Sequence, residues 1–280
     1  MNKFHDKDSF YKYVSANTAK QVLRTLKVRC SSPSVYNDPF DSQISIAHDL
    51  NGGGAEELIR RLTGHICSYM KPLIQGGDVE GAHNIVLTEI MKDEAFVADR
   101  LKAFESFYRD INEKILEFAR EDRVFCVSEI NDNLLMWSHY ANDHKGVVIK
   151  LRCVPEKNSA LCAAKPVKYS SVMPVLRLED LFLPEETLIR KILNDFLLTK
   201  SIDWQYEQEW RVILSSQEAG KEYDLRGIFP EELAAIYFGC RVSNQDKSEI
   251  LEVIRSAYKD VKVFQMEKDS KEFRLNAIAL

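Results

Sequence analysis

The sequence lacks most of the features that mark specialised chains. Its six cysteines (Cys30, Cys67, Cys126, Cys153, Cys162 and Cys240) lie scattered, with no CxxC pair and no His/Cys cluster at zinc spacing. That pattern excludes a disulfide scaffold and a zinc finger, and reads as reduced, mostly buried thiols. No apolar stretch approaches the roughly 18 residues that a membrane span needs. The opening MNKFHDKDSFYKY lacks the apolar run of a signal peptide, so a cytoplasmic protein with no membrane contact is expected. GxGxxG, GxxxxGK[ST], HExxH and GxSxG are all missing. Dinucleotide-fold oxidoreductases, P-loop enzymes, zincins and nucleophile-elbow hydrolases are therefore unsupported. Excess positive charge is missing too. A net charge of −5 and a pI near 5.8 argue against coating nucleic acid by bulk electrostatics, so any such contact would be local.

What is present is an ordinary globular composition: 280 residues, 45% hydrophobic and 29% charged, enough for a sizeable core. β-rich ends flank helical segments. Strands are predicted at 10–14 and 28–32, around a helix over 18–26 capped by Asn17 or Thr18. Pro33 opens a turn-rich loop, SPSVYNDPFDS. From about 55 to 121 the pattern is helical, with Leu101, Phe104, Phe107, Tyr108, Ile111, Ile115 and Phe118 forming a core-facing stripe. Strands follow at 124–128 and 146–151, around a short helix or turn at 134–140. A helix over 184–200 precedes a charged strand at 209–214. Further strands at 224–225, 235–238, 261–266 and 273–278, and a helix over 244–258, complete the chain. No repeat or linker is visible, so the expectation is one α+β domain over residues 1–280 with a helical insertion at about 55–121.

The pentad Glu207-Gln208-Glu209-Trp210-Arg211 carries the most information. At period two, Trp210, Val212 and Leu214 share one strand face while Glu207, Glu209 and Arg211 share the other. A carboxylate pair two residues apart beside an arginine suits charge stabilisation or acid/base work; the bland alternative is a solvated face with cross-strand ion pairs. Three other segments hold polar and aromatic residues beyond what packing asks for: Tyr11-Lys12-Tyr13, the loop Tyr36-Asn37-Asp38-Pro39-Phe40-Asp41, and LMWSHYANDHKG from Leu135. Trp137 and Tyr140, one helical turn apart with Ser138 and His139 beside them, form an aromatic wall suited to a planar ring. Trp/Tyr pairs on short helices more often serve the core, and a lone His139 is more often structural. A metal-dependent nuclease using Asp38, Asp41, Glu207 and Glu209 is a rival, but Arg211 on the acidic face disfavours a divalent ion, and no metal is expected.

The motifs YKY, SPSVYNDPFD, LLMWSHYANDHKGVVIKL and WQYEQEWR, in that order over about residues 10–215, resemble the DUF2971 family. The order of parts also resembles the ADP-ribosyltransferase fold. That resemblance implies a split β-sheet core, with an aromatic or hydroxyl residue on a middle motif and a catalytic Glu within [EQ]-x-E. Carried over, it makes Glu209 the catalytic carboxylate and Glu207 the residue that orients or deprotonates an acceptor. Lys12 or Tyr13 stands where the fold usually has His or Arg. Lys12 would meet pyrophosphate, Tyr13, Trp137 or Tyr140 would stack nicotinamide, Trp137, Ser138 and Tyr140 would supply the middle motif, and Arg211 would hold Glu207. The implied function is an NAD-dependent ADP-ribosyltransferase acting as a bacterial toxin or phage-defence effector. Its macromolecular acceptor would include nucleic acid among the options, and an antitoxin protein could restrain it. A non-catalytic binding module is the alternative from another class.

Overall fold

The computed structural model describes residues 3–42, 45–46, 54–99, 121–176, 184–218 and 220–280, with isolated positions at 102, 106, 109–110, 113 and 180. The chain runs β1 (Ser9–Val14), α1 (Ala16–Thr25), β2 (Lys27–Ser31), β3 (Ser45–Ile46), α2 (Gly54–Tyr69), α3 (Val79–Met91) and β4 (Asp122–Ser128). It continues with α4 (Leu134–Tyr140), β5 (Val147–Arg152), β6 (Lys165–Pro166), β7 (Lys168–Ser170), β8 (Val175–Leu176), α5 (Glu185–Leu197) and β9 (Thr199–Ser201). A 3-10 helix (Ile202–Glu207) leads into β10 (Glu209–Ser215), followed by β11 (Tyr223–Gly227), β12 (Leu233–Phe238), α6 (Asn244–Ala257), β13 (Lys262–Lys268) and β14 (Leu275–Ala279). Helices with a mixed sheet make this an α+β fold.

The chain divides into two compact units. The first comprises Met1–Ser42, Ala119–Met173 and Leu197–Leu280, and the second Gln43–Phe118 and Pro174–Phe196. In the first unit the sheet order is β11-β2-β4-β1-β5-β12-β13-β14, with β10 joined to β4 and β6 joined to β10. Only the β12/β13 pairing in this sheet is parallel. β5 shows why the sheet forms. Val147, Ile149 and Leu151 enter one core with α1 and α6, while Val148 enters a second core with Met136 and Trp137 of α4. Both faces of β5 are covered, and each fully buried aliphatic side chain contributes about 1.5–3 kcal/mol. α1 starts two residues earlier than its sequence suggests, because Ser15 is the cap: its side chain accepts from the Thr18 amide.

β4 is where the sheet divides. It pairs with β10 along its whole length, from Ser128 opposite Glu209 to Asp122 opposite Ser215. Along its other edge it meets β1 only at Ser128/Tyr11 and β2 only at Val124/Ser31. Between those two contacts the edge is open, and the Lys12 ammonium reaches in to donate to the Cys126 carbonyl at 2.7 Å.

In the second unit α2 packs against α3, and His83 ties them by hydrogen bonds with Thr63 (3.0 Å) and the Arg60 carbonyl (2.9 Å). β3 and β8 form a short parallel pair there. The aromatic and aliphatic stripe expected at Leu101, Phe104, Phe107, Tyr108, Ile111, Ile115 and Phe118 lies outside the described residues.

Candidate functional site

A cavity of about 200 Å³ opens in the first unit at the divided edge of β4. Its lining takes Tyr11, Lys12 and Tyr13 from β1, Arg29 and Ser31 from β2, Cys126 and Ser128 from β4, Met136 and Tyr140 from α4, and Tyr36, Asn37, Asp41, Lys200, Glu207 and Glu209. The sheet edge supplies this opening because β1 and β2 turn away from β4 on either side of it.

Glu207 and Glu209 reach the same cavity by a route that strand alternation does not describe. Glu207 ends the 3-10 helix, Gln208 adopts a left-handed conformation (φ 44°, ψ 52°), and the strand starts only at Glu209. The Ser128 hydroxyl fixes this corner by donating to the Glu207 carbonyl at 2.6 Å, and the Glu209 amide donates to the Tyr169 hydroxyl at 2.8 Å. Neither carboxyl is on a solvated face, since both residues are buried. That sets aside the alternative of a solvated face with cross-strand ion pairs.

Beneath the cavity, Asp41, Glu207 and Glu209 share two cations. Arg211, fully buried, donates from Nε to Glu209 (2.8 Å), from Nη2 to both Asp41 oxygens (2.9 and 2.6 Å), and from Nη1 to the Leu197 carbonyl (2.8 Å). Lys200 Nζ lies 2.6 Å from Glu207, 3.0 Å from Glu209 and 3.5 Å from Asp41. Tyr140 donates its hydroxyl to the remaining Glu207 oxygen at 2.6 Å. The two carboxyls respond in opposite directions. Burial opposes ionisation of Glu209, but Arg211 and Lys200 outweigh it and hold its pKa well below the usual range. For Glu207 burial wins over Lys200, and the Glu209 charge adds to it, so its pKa is raised. Three carboxyls against two cations leave one negative charge in excess, and Arg211 touches Asp41 and Glu209 but not Glu207. Glu207 is therefore the group that keeps a proton most readily.

Of the residues singled out from sequence, Lys12, Tyr13, Tyr140, Glu207 and Glu209 meet in one cavity. Trp137, Ser138 and Arg211 do not line it. Trp137 is fully buried, packed edge-on to Tyr13 at 5.5 Å and stacked on His144 at 6.2 Å, and its indole N–H donates to the Asn131 carbonyl at 2.8 Å. It shapes the wall behind Tyr13 and has no free ring face for a ligand. Ser138 offers its carbonyl to the Asp143 amide at 3.2 Å. Arg211 holds Glu209 and Asp41, not Glu207; the partner of Glu207 is Lys200. Asp38 faces inward on its own loop, accepting the Phe40 amide at 2.9 Å, and does not join Asp41 at the cavity.

Sequence reasoning missed Arg29 as a site member, singled out Tyr36 only as part of its loop, and noted Lys200 only as the residue that introduces the pentad. Lys200, a lysine between an apolar helix and WQYEQEW, gave a faint signal. Arg29 gave none: its guanidinium lies 4.3 Å over the Tyr223 ring, a contact set by the β2/β11 pairing.

Residues 136–212 match the model of the DUF2971 family, whose description is a protein of unknown function. The match supports assignment to that family. It runs from α4 into β10 and includes Tyr140, Lys200, Glu207, Glu209 and Arg211. No curated protein and no solved structure matches the chain.

Proposed function

We propose that the cavity binds NAD and that the protein is an ADP-ribosyltransferase with the split-sheet core of that fold. The observation that carries this reading is the convergence of Glu207 and Glu209, with pKa values displaced in opposite directions, on one cavity at the divided edge of β4. Opposed environments for two neighbouring carboxyls are the mark of a division between an ionised stabiliser and a proton carrier.

The donor set fits the group. About 200 Å³ accommodates a nicotinamide or a ribose, against roughly 300–1,000 Å³ for a whole small-molecule pocket. Lys12 and Arg29, the two lining cations without a carboxylate partner among the described residues, suit the phosphates. Bound NAD supplies a glycosidic bond whose cleavage places positive charge on the ribose. Glu209, held ionised by Arg211 and Lys200, provides a fixed negative charge to oppose it. Glu207, with its raised pKa, takes the proton that the acceptor's O–H or N–H gives up as its heteroatom bonds to the ribose and nicotinamide departs. Tyr140 and Lys200 hold Glu207 in place for that transfer.

Purified protein should release nicotinamide from NAD, and should do so in the presence of EDTA. Glu209→Gln should lower that rate by about 10²-fold or more while the protein stays folded. A folded variant with wild-type activity removes Glu209 from the role. The second reading, a binding module, is favoured by the internal partner that each oxygen of Asp41, Glu207 and Glu209 already has. NAD binding without nicotinamide release would select it.

A further inference from the structure

A second cavity, of about 680 Å³, lies in the same unit behind α4. Its walls are Leu134 and His144 on one side, Cys240 and Arg241 on another, and the β13/β14 hairpin from Lys268 to Leu275. The indole of Trp137 separates it from the first cavity, with Tyr13 on one side and His144 on the other. The walls are held firmly. Arg241 donates its amide to the His144 carbonyl at 3.0 Å, and Gly239 lies so close to that carbonyl that a Cβ would collide with it. In the hairpin, Asp269 accepts the amides of Lys271 (2.8 Å) and Glu272 (3.1 Å) and the side chain of Asn276 (2.9 Å).

The charges around this cavity do not cancel. Asp269 and Glu272 are both paired with Arg274, each at 3.2 Å. Arg241, Lys268 and Lys271 are left exposed, with no carboxylate partner among the described residues. Burial, followed by the neighbouring Arg241, keeps the His144 pKa low, so it adds no fourth cation. At the tip of the hairpin Phe273 is 100% exposed. Its ring contributes nothing to the core, and burial cannot explain its position. Three unpaired cations beside a bare aromatic ring, on a chain whose net charge is −5, are the residue types that phosphates and stacked bases of single strands call for. An acidic peptide would use the cations and leave the ring idle.

We propose that this cavity binds single-stranded nucleic acid, with backbone phosphates on Arg241, Lys268 and Lys271 and a base stacked on Phe273. Binding there stands on these residues alone. Its use to hold the acceptor strand rests on the transferase reading of the first cavity.

The test is fluorescence anisotropy of a labelled single strand titrated with the full chain, alongside nicotinamide release by the same preparation. Wild type should bind with a log–log salt slope of about 2, roughly 0.7 for each of three phosphates. The double substitution Arg241→Glu and Lys271→Glu should weaken binding at least tenfold and cut the slope by about 1.4. Phe273→Ala should weaken a base-bearing strand roughly tenfold and leave an abasic strand of equal length unchanged. No binding at about 50 mM salt, indifference to the double substitution, or equal displacement by a polyglutamate peptide would overturn the proposal. Nicotinamide release without strand binding defeats this inference and spares the transferase reading. Strand binding without release defeats the transferase reading and supports this one.

Discussion

Glu207 and Glu209 are the same residue type two positions apart, both buried and both beside Lys200, and what sets them apart most is Arg211, which only Glu209 reaches. Arg211 alternates with Glu209 on β10 and so lies beside it, whereas Glu207 sits beyond the left-handed Gln208 and reaches only Lys200 and Tyr140. A titration consequence follows with a definite sign. The folded protein keeps the Glu207 proton to higher pH than the roughly 4.3 of an unfolded glutamate. The folded state thus binds more protons, and the stability this group contributes is fully present below about pH 4.3 and is lost as pH rises through the folded value. Glu207→Gln removes the titration. Its Tm should therefore gain on that of wild type as pH is raised from about 4 to about 7, measured by scanning fluorimetry at matched salt. A difference that stays flat or shrinks would mean that the excess proton resides on another carboxyl. The residue scale also shows what was legible in the sequence. The EQEWR pentad announced unusual charge, but its burial was not visible, because Asp41 and Leu197, which satisfy Arg211, are distant in sequence.

At the scale of elements, the strand pattern of β10 was legible from Trp210, Val212 and Leu214, and α4 from its helical spacing. The corner before β10 was not, since nothing in a Gln announces a positive φ. Gln208 adopts φ 44°, its amide donates to the Gln205 carbonyl at 3.2 Å, and its carbonyl receives the Glu129 amide at 3.1 Å. The side chain itself is exposed, so substitutions there probe backbone conformation and little else. Gly adopts the left-handed region freely and a β-branched residue does not. Gln208→Gly should stay close to wild type in stability. Gln208→Val should be less stable than the glycine variant by about 1–2 kcal/mol, read from urea midpoints. It should also lose nicotinamide release, because the corner that brings Glu207 beside Glu209 is forced open. Equal stability of the two variants would show that the corner is not what fixes the carboxyl pair. The connection from α4 to β5 obeys a similar constraint at Gly146, where a Cβ would run into the carbonyl oxygens of Val14 and Ala141.

For the whole molecule, the α+β class and most strands of the first unit followed from period-two runs, while the sheet order did not. β1 lies beside β5, and β4 beside β10, through pairings between segments far apart in sequence that no local pattern encodes. The short β6 and β9 were equally hidden, being two or three residues of mixed composition placed by their neighbours. This topology makes a prediction about where stability resides. β5 is flanked by β1 and β12, and Val147, Val148, Ile149 and Leu151 are all at most 1% exposed. β12 adds Ile236 and Phe238 at 0%. The edge of β4 facing the cavity has no continuous ladder, and the hairpin before β14 carries an exposed tip. Amides exchange at the free energy of the opening that exposes them, which reaches the global value only where ladders and burial coincide on both sides. Hydrogen exchange read by mass spectrometry should therefore give the slowest peptides over 147–151 and 234–238, with 269–274 among the fastest. If the amides of the first cavity, around 207–211, prove as slow as those of β5, the site is as rigid as the core. If they exchange well before it, the carboxyl cluster opens locally while the sheet stays closed, and a ligand can enter without global unfolding.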